Sequence, residues 1–221
     1  MSGMKRAHLK GFTIVELLIV IVVIGILATI SVVAYNGSQQ RARNAARLAV
    51  VTKAIEVVEV ALTRQSPSTI RATLNATGAV GSQWFRACIG TGYKDVSGDG
   101  VGDCGWFGTS SPYAWESAAF NTLLQTEVGP VNIAGGFPKL TATDGDNVTG
   151  PYLSSAWVDS KDMLTVEYSL EGEGQKCDKT PLVYRTGSAD TMTPPAGNAA
   201  NYTKSAYGVT ECVVAVVTNY Y

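Results

Sequence analysis

Phe12–Tyr35 is an apolar run of 24 residues in which Glu16 is the one ionisable side chain apart from the Tyr35 phenol. No further charge follows until Arg41. As a helix this run measures about 36 Å, enough to cross a hydrocarbon core of about 30 Å. A helix apolar on every side needs lipid, or a like surface, around it. A carboxylate at that depth costs several kcal/mol unless it is paired or protonated. The question set by the sequence is therefore what answers Glu16.

The preceding segment, MSGMKRAHLKG, carries Lys5, Arg6 and Lys10 and no acid. By the positive-inside rule it stays cytoplasmic and the chain after the span is exported. A secretory signal would close its apolar core with a small-residue cleavage site. Here the small residue, Gly11, precedes the run. Cleavage after Gly11 keeps the apolar segment and gives Phe12 a free α-amino group. That cation lies one helical turn from Glu16 of its own chain, or beside Glu16 of a neighbour. A neutral, protonated Glu16 is the alternative.

The helical signal continues past Tyr35. Residues 38–64 contain no proline, and Leu48, Val51, Ile55, Val58 and Leu62 form a single stripe at spacings of three and four. Arg41, Arg43, Arg47, Lys53, Glu56 and Glu59 fall mostly off that stripe; Arg41, Arg43 and Arg47 read as a solvated face, or as partners of Glu56 and Glu59 of other subunits, with nucleic acid or lipid headgroups as the less favoured use. One helix is expected from about residue 12 to 64, with Gly25 and Asn36-Gly37 as its weak points. Ser66-Pro67 and Ser111-Pro112 open two short helices, running to about Ala76 and Gln125. Gly78–Gly108 and 129–150 read as loops rich in glycine and turns. Strand patterns occupy Met163–Leu170, Leu182–Arg185 and Val209–Thr218, and the stretch between the last two reads as a polar loop.

Cys88, Cys104, Cys177 and Cys212 all fall in the exported part, with no C-x-x-C spacing. An even number there implies two disulfides, with three possible pairings. Cys88–Cys104 and Cys177–Cys212 are the favoured ones: the first closes a compact loop and the second joins two strand-like stretches. Residues 65–221 carry 9 Lys and Arg against 15 Asp and Glu, which disfavours nucleic-acid binding by the monomer. The only histidine is His8, so a chain cut after Gly11 has no histidine base for nucleophilic catalysis. Trp84, Trp106, Trp115 and Trp157 read as core, with a sugar platform as the less favoured use.

The loop between the first two cysteines presents oxygens at Asp95, Ser97, Asp99 and Asp103, with the Val101 carbonyl between them and Gly100 at the sharp turn. This spacing resembles the start of an EF-hand or dockerin-type calcium loop. The twelfth position is Trp106, so the bidentate acid has to come from elsewhere, with Glu116 or water in that role. Three acids in nine residues repel unless a cation such as Ca2+ neutralises them. A disulfide-closed Asp/Gly turn is the alternative.

Lys10-Gly11-Phe12-Thr13-Ile14-Val15-Glu16 followed by the long span resembles the type IV pilin and type II secretion pseudopilin signature. The resemblance covers residues 5 to about 64. It implies that a prepilin peptidase cuts between Gly11 and Phe12 and methylates the Phe12 amine. It implies further that Glu16 pairs with the Phe12 ammonium of an adjacent subunit, and that a platform protein and a cytoplasmic ATPase drive assembly. Such pilins often carry a proline late in the span, and this chain has none. The expected fold is α+β and pilin-like: a leader at 1–11, a membrane or filament-core helix at 12–35, its amphipathic continuation at 36–64, and a head at 65–221. In that head a small antiparallel sheet packs on the second half of the helix. The expected function is a major-type pilin, a structural homopolymer subunit with no enzymatic role. It is a single-pass precursor in the inner or cytoplasmic membrane, then part of a surface filament. A pseudopilin, or a membrane-tethered adhesin binding sugar or protein, are the alternatives.

Overall fold

A computed structural model describes residues 12–77, 84–105, 114–131, 133, 150–158, 161–172, 174–177, 184–185, 192–193, 201–204 and 209–217. The chain divides into two compact units between Arg41 and Ala42. Helix α1, Ile14–Arg64, contributes to both.

In the first unit every residue from Phe12 to Tyr35 is exposed. The helix is unbroken at Gly25 and at Asn36-Gly37, so neither weak point interrupts it. Thr29 Oγ1 donates to the Gly25 carbonyl at 2.6 Å, and Ser31 Oγ to the Leu27 carbonyl at 2.8 Å. Bonds of this kind let hydroxyl side chains sit in an apolar helix without unsatisfied donors. By length and composition the segment suffices to cross a membrane.

In the second unit α1 buries Val51, Ala54, Ile55, Val57, Val58 and Ala61, and half-buries Leu48 and Leu62. The expected stripe is therefore the face turned to the core. Against it packs a six-stranded antiparallel sheet. Its strands are β1 (Asn75–Thr77), β2 (Trp84–Cys88), β5 (Tyr152–Val158), β6 (Lys161–Glu171), β10 (Val209–Val217) and β9 (Asn201–Lys204), in that spatial order. Two-stranded ladders join β3 (Asp103–Gly105) to β4 (Ala114–Trp115), and β7 (Tyr184–Arg185) to β8 (Met192–Thr193). Leu164, Val166, Tyr168 and Leu170 of β6 enter the core at period two, beside Leu153, Ala87 and Val214. The intervening Thr165, Glu167 and Ser169 are buried as well, so both faces of β6 are covered.

Several boundaries differ from expectation. Ser66 caps α2 by accepting from the Thr69 amide at 3.2 Å, but α2 spans only Pro67–Arg71 and the chain then enters β1. The glycine-rich stretch holds β2 and β3, and β8 and β9 lie within the expected polar loop. Helix α3, Ala118–Glu127, starts after Ser117, whose Oγ accepts from the Phe120 amide at 3.3 Å. The Ser-Pro pair at 111–112 lies outside the described residues, and Ala114–Trp115 are a strand, so no helix runs through them.

Candidate functional site

Three groups of residues carry the polar chemistry. The first sits at the start of α1. Thr13 precedes the helix, and its amide and hydroxyl both donate to Glu16 Oε2 at 2.8 Å. In return the Glu16 amide donates to Thr13 Oγ1 at 3.2 Å. This is a reciprocal capping box, which satisfies amides that the first helical turn leaves without partners. Glu16 is thus held at the positive end of the helix, where a carboxylate is favoured. Thr13-Ile14-Val15-Glu16 is the T-x-x-E pattern of such a box, a signal that lies in the sequence itself. Phe12 is 82% exposed. Gly11 lies outside the described residues.

The second group overturns the expectation of a solvated arginine face. Arg47 is fully buried, and its Nε donates to the Ser169 carbonyl at 2.7 Å. Burial pushes its guanidinium down to about 9, opposed by the negative field of Glu171, so it remains a cation at neutral pH. Arg43 Nε meets Glu171 Oε2 at 2.7 Å. Asn44 clamps the same residue's backbone: its Nδ2 donates to the Glu171 carbonyl at 2.9 Å and its Oδ1 accepts from the Glu171 amide at 2.8 Å. One turn and a half of α1 therefore closes the end of β6 by satisfying backbone groups there. The signal for this was the Arg-x-x-x-Arg spacing enclosing an asparagine, on the turn just before the apolar stripe. Arg41 is different: it stays exposed and donates to the Gly37 carbonyl at 3.2 Å.

The third group is the loop closed by Cys88–Cys104, whose Cα atoms stand 5.7 Å apart. Cys177–Cys212 is the other bridge, tying the segment after β6 to β10. Within the loop the Asp95 carboxylate accepts from the amides of Gly98 at 2.6 Å and Gly100 at 2.8 Å. These bonds, that from Gly100 first, hold its carboxyl below the usual aspartate value. Their contribution is complete at neutral pH and is lost as the pH falls through that lowered value. Gly100 has φ +88°, a conformation that side chains resist, and it supplies the turn. Asp99 Oδ1 accepts from the Val101 amide at 2.9 Å. Asp103 is buried, and its Oδ2 accepts from Val96 and Ser97 at 2.9 and 2.8 Å. Glu116 lies against the loop, its Oε1 accepting from the amides of Gly92 and Tyr93 at 2.9 Å. A Cβ at Gly102 would meet the Tyr93 carbonyl oxygen as well as Glu116 Oε1, each at 2.6 Å, and the backbone oxygen cannot swing away, so only glycine fits there. Trp106 lies outside the described residues. Among the described residues no three His, Cys, Asp or Glu side chains converge to hold a metal on their own.

Residues 6–32 match the family model of the prokaryotic N-terminal methylation motif. No solved structure matches the chain.

Proposed function

We propose that this protein, whose residues 6–32 match the N-terminal methylation motif, is a type IV pilin-like chain and the major-type structural subunit of a type IV pilus. The leader motif implies processing by a prepilin peptidase and handling by a pilus-type assembly machinery. The family is structural rather than enzymatic. The motif and the exposed apolar helix fit a membrane-anchored precursor that later joins a surface fibre. The leader's three cations favour a cytoplasmic amino terminus.

The observation that carries the reading is one carboxylate on an exposed apolar helix, four residues from the amino terminus that cleavage after Gly11 creates. In the bilayer the side chains of Phe12–Tyr35 face lipid. Copies of the same helix replace that lipid at little cost, since one apolar surface exchanges for another. Register along the bundle then falls to charge. The Phe12 ammonium of an incoming subunit, methylated by the peptidase, meets Glu16 of a subunit already in place. A subunit out of register leaves both charges buried and unpaired, a cost of several kcal/mol. The platform protein and its ATPase supply the work of drawing the helix from the membrane.

The direct test is the mass of the protein taken from cells, together with electron microscopy of their surface. A mature chain beginning at methylated Phe12, in long surface fibres, supports the proposal. A chain that keeps its leader and stays solitary in the bilayer overturns it, and returns the tethered-adhesin reading. Short fibres confined to the envelope point to a pseudopilin. A more local prediction concerns Gly11, which must fit the peptidase next to the cut. Gly11→Leu should leave the precursor intact, heavier than the mature form by the eleven leader residues, and without fibres. Cleavage of Gly11→Leu at the wild-type rate would remove Gly11 from the processing site.

A further inference from the structure

Asp103 poses a question that the filament reading does not absorb. Its side chain is fully buried, and Oδ2 is tied inside the disulfide-closed loop by the amides of Val96 and Ser97. The other oxygen of the same carboxyl, Oδ1, is buried without a hydrogen-bond partner. A carboxylate oxygen left so costs free energy that a donor or a cation must return. The loop that carries it also carries further oxygens. Ser97 and Asp99 follow Asp95 at alternate positions, the Val101 carbonyl continues the series, and the Glu116 carboxylate borders Gly102. The amides of Val96, Ser97, Gly98, Gly100 and Val101 are already spent on Asp95, Asp99 and Asp103 Oδ2.

We propose that the Asp95–Asp103 loop binds a single Ca2+ ion, with Asp103 Oδ1 as its buried ligand and the remaining positions filled by one further carboxylate, neutral oxygens of the loop, and water. Calcium accepts six to eight oxygens in irregular arrangement, whereas magnesium demands a near-ideal octahedron. A site with two carboxylates instead of the usual three or four is weak, with a dissociation constant on the order of 10⁻⁴ to 10⁻³ M. Such an affinity suits an exported domain, where calcium is plentiful. The ion would hold in place a loop otherwise secured by Cys88–Cys104 and its own amides.

The test uses the full chain purified in detergent and does not depend on the filament reading. Its unfolding midpoint is measured in 5 mM CaCl2, in 5 mM MgCl2 and in EGTA at matched ionic strength. Calcium is expected to raise the midpoint by about 3 °C over EGTA, and magnesium by much less. Asp103→Asn keeps an oxygen for the Val96 and Ser97 amides but loses the charge, so the calcium shift should vanish. Asp99→Asn, at an exposed position, tests the loop without disturbing the buried carboxyl and should reduce the shift. Equal midpoints in CaCl2 and EGTA overturn the proposal. So does an equal response to magnesium, or a full calcium shift in a folded Asp103→Asn protein.

Discussion

Glu16→Ala is expected to give a protein that is cleaved, methylated and membrane-inserted but yields at least 100-fold fewer fibres than the wild type. The substitution removes the only carboxylate in Phe12–Gln40, so the span itself becomes more apolar and inserts at least as well. What it takes away is the partner of an ammonium. Each added subunit would then bury its amino terminus unpaired, and about 3 kcal/mol lost per addition lowers the addition constant by about two decades. Glu16 has a second job, because Thr13 donates to it twice at 2.8 Å. Alanine removes both cap and charge, so the comparison needs Glu16→Gln. Glutamine still accepts from the Thr13 amide and hydroxyl, as capping boxes allow. If charge is what matters, Glu16→Gln fails like Glu16→Ala. If capping is what matters, Glu16→Gln assembles and Thr13→Val fails. Electron microscopy with mature-terminus mass spectrometry reads all three variants. Normal fibres from Glu16→Ala would end the pairing account.

Which parts of the molecule were legible follows from how many demands each residue meets. Residues 12–35 form one exposed apolar run, and Val51, Ile55 and Val58 line one core face, so composition and periodicity report them directly. β10 is rich in β-branched residues, and β6 is long with Leu164, Val166, Tyr168 and Leu170 at alternate positions, so their sequences announce them. β2 and β5 do not. WFRAC is five residues inside a glycine-rich stretch, and YLSSAWV carries two serines, Ser154 and Ser155, that the fold buries. The far face of β6 likewise buries Thr165, Glu167 and Ser169, so polar residues there do not signal solvent. Glu167 is held by the Tyr152 hydroxyl at 2.6 Å, a pairing between β5 and β6 that no local pattern encodes. At the amino terminus the opposite held. The T-x-x-E box is local and readable, but its glutamate is also the one charge of the span, so a single residue carries two signals.

Arg47 is a charged residue at a fully buried position, and its replacement is the sharpest test of the second unit. Arg47→Ala should destabilise the fold by about 3 to 5 kcal/mol, since it empties a fully buried volume and orphans the Ser169 carbonyl. In a unit of this size that is a fall of about 6 to 20 °C in the unfolding midpoint. Arg47→Met fills much of the volume and avoids the desolvated cation. Its cost should be nearer 1 to 2 kcal/mol, roughly that of the unpaired carbonyl. Acidity gives a second readout. The folded value of Arg47, about 9, lies below its unfolded one, so the burial cost is fully present at lower pH and is relieved only as the pH rises past that value. The difference between Arg47→Met and wild type should therefore stay flat from pH 5 to 8. Denaturation of the full chain in detergent, followed by circular dichroism, measures both quantities. A cost below about 0.5 kcal/mol for Arg47→Ala is what exposed positions show, and would restore the solvated face. Assembly then separates the two ends of α1. Arg47→Ala leaves Phe12, Thr13 and Glu16 untouched, so cleavage and methylation should proceed at wild-type levels while the fibres lose heat stability. Glu16→Ala should do the reverse, keeping the midpoint and losing the fibres.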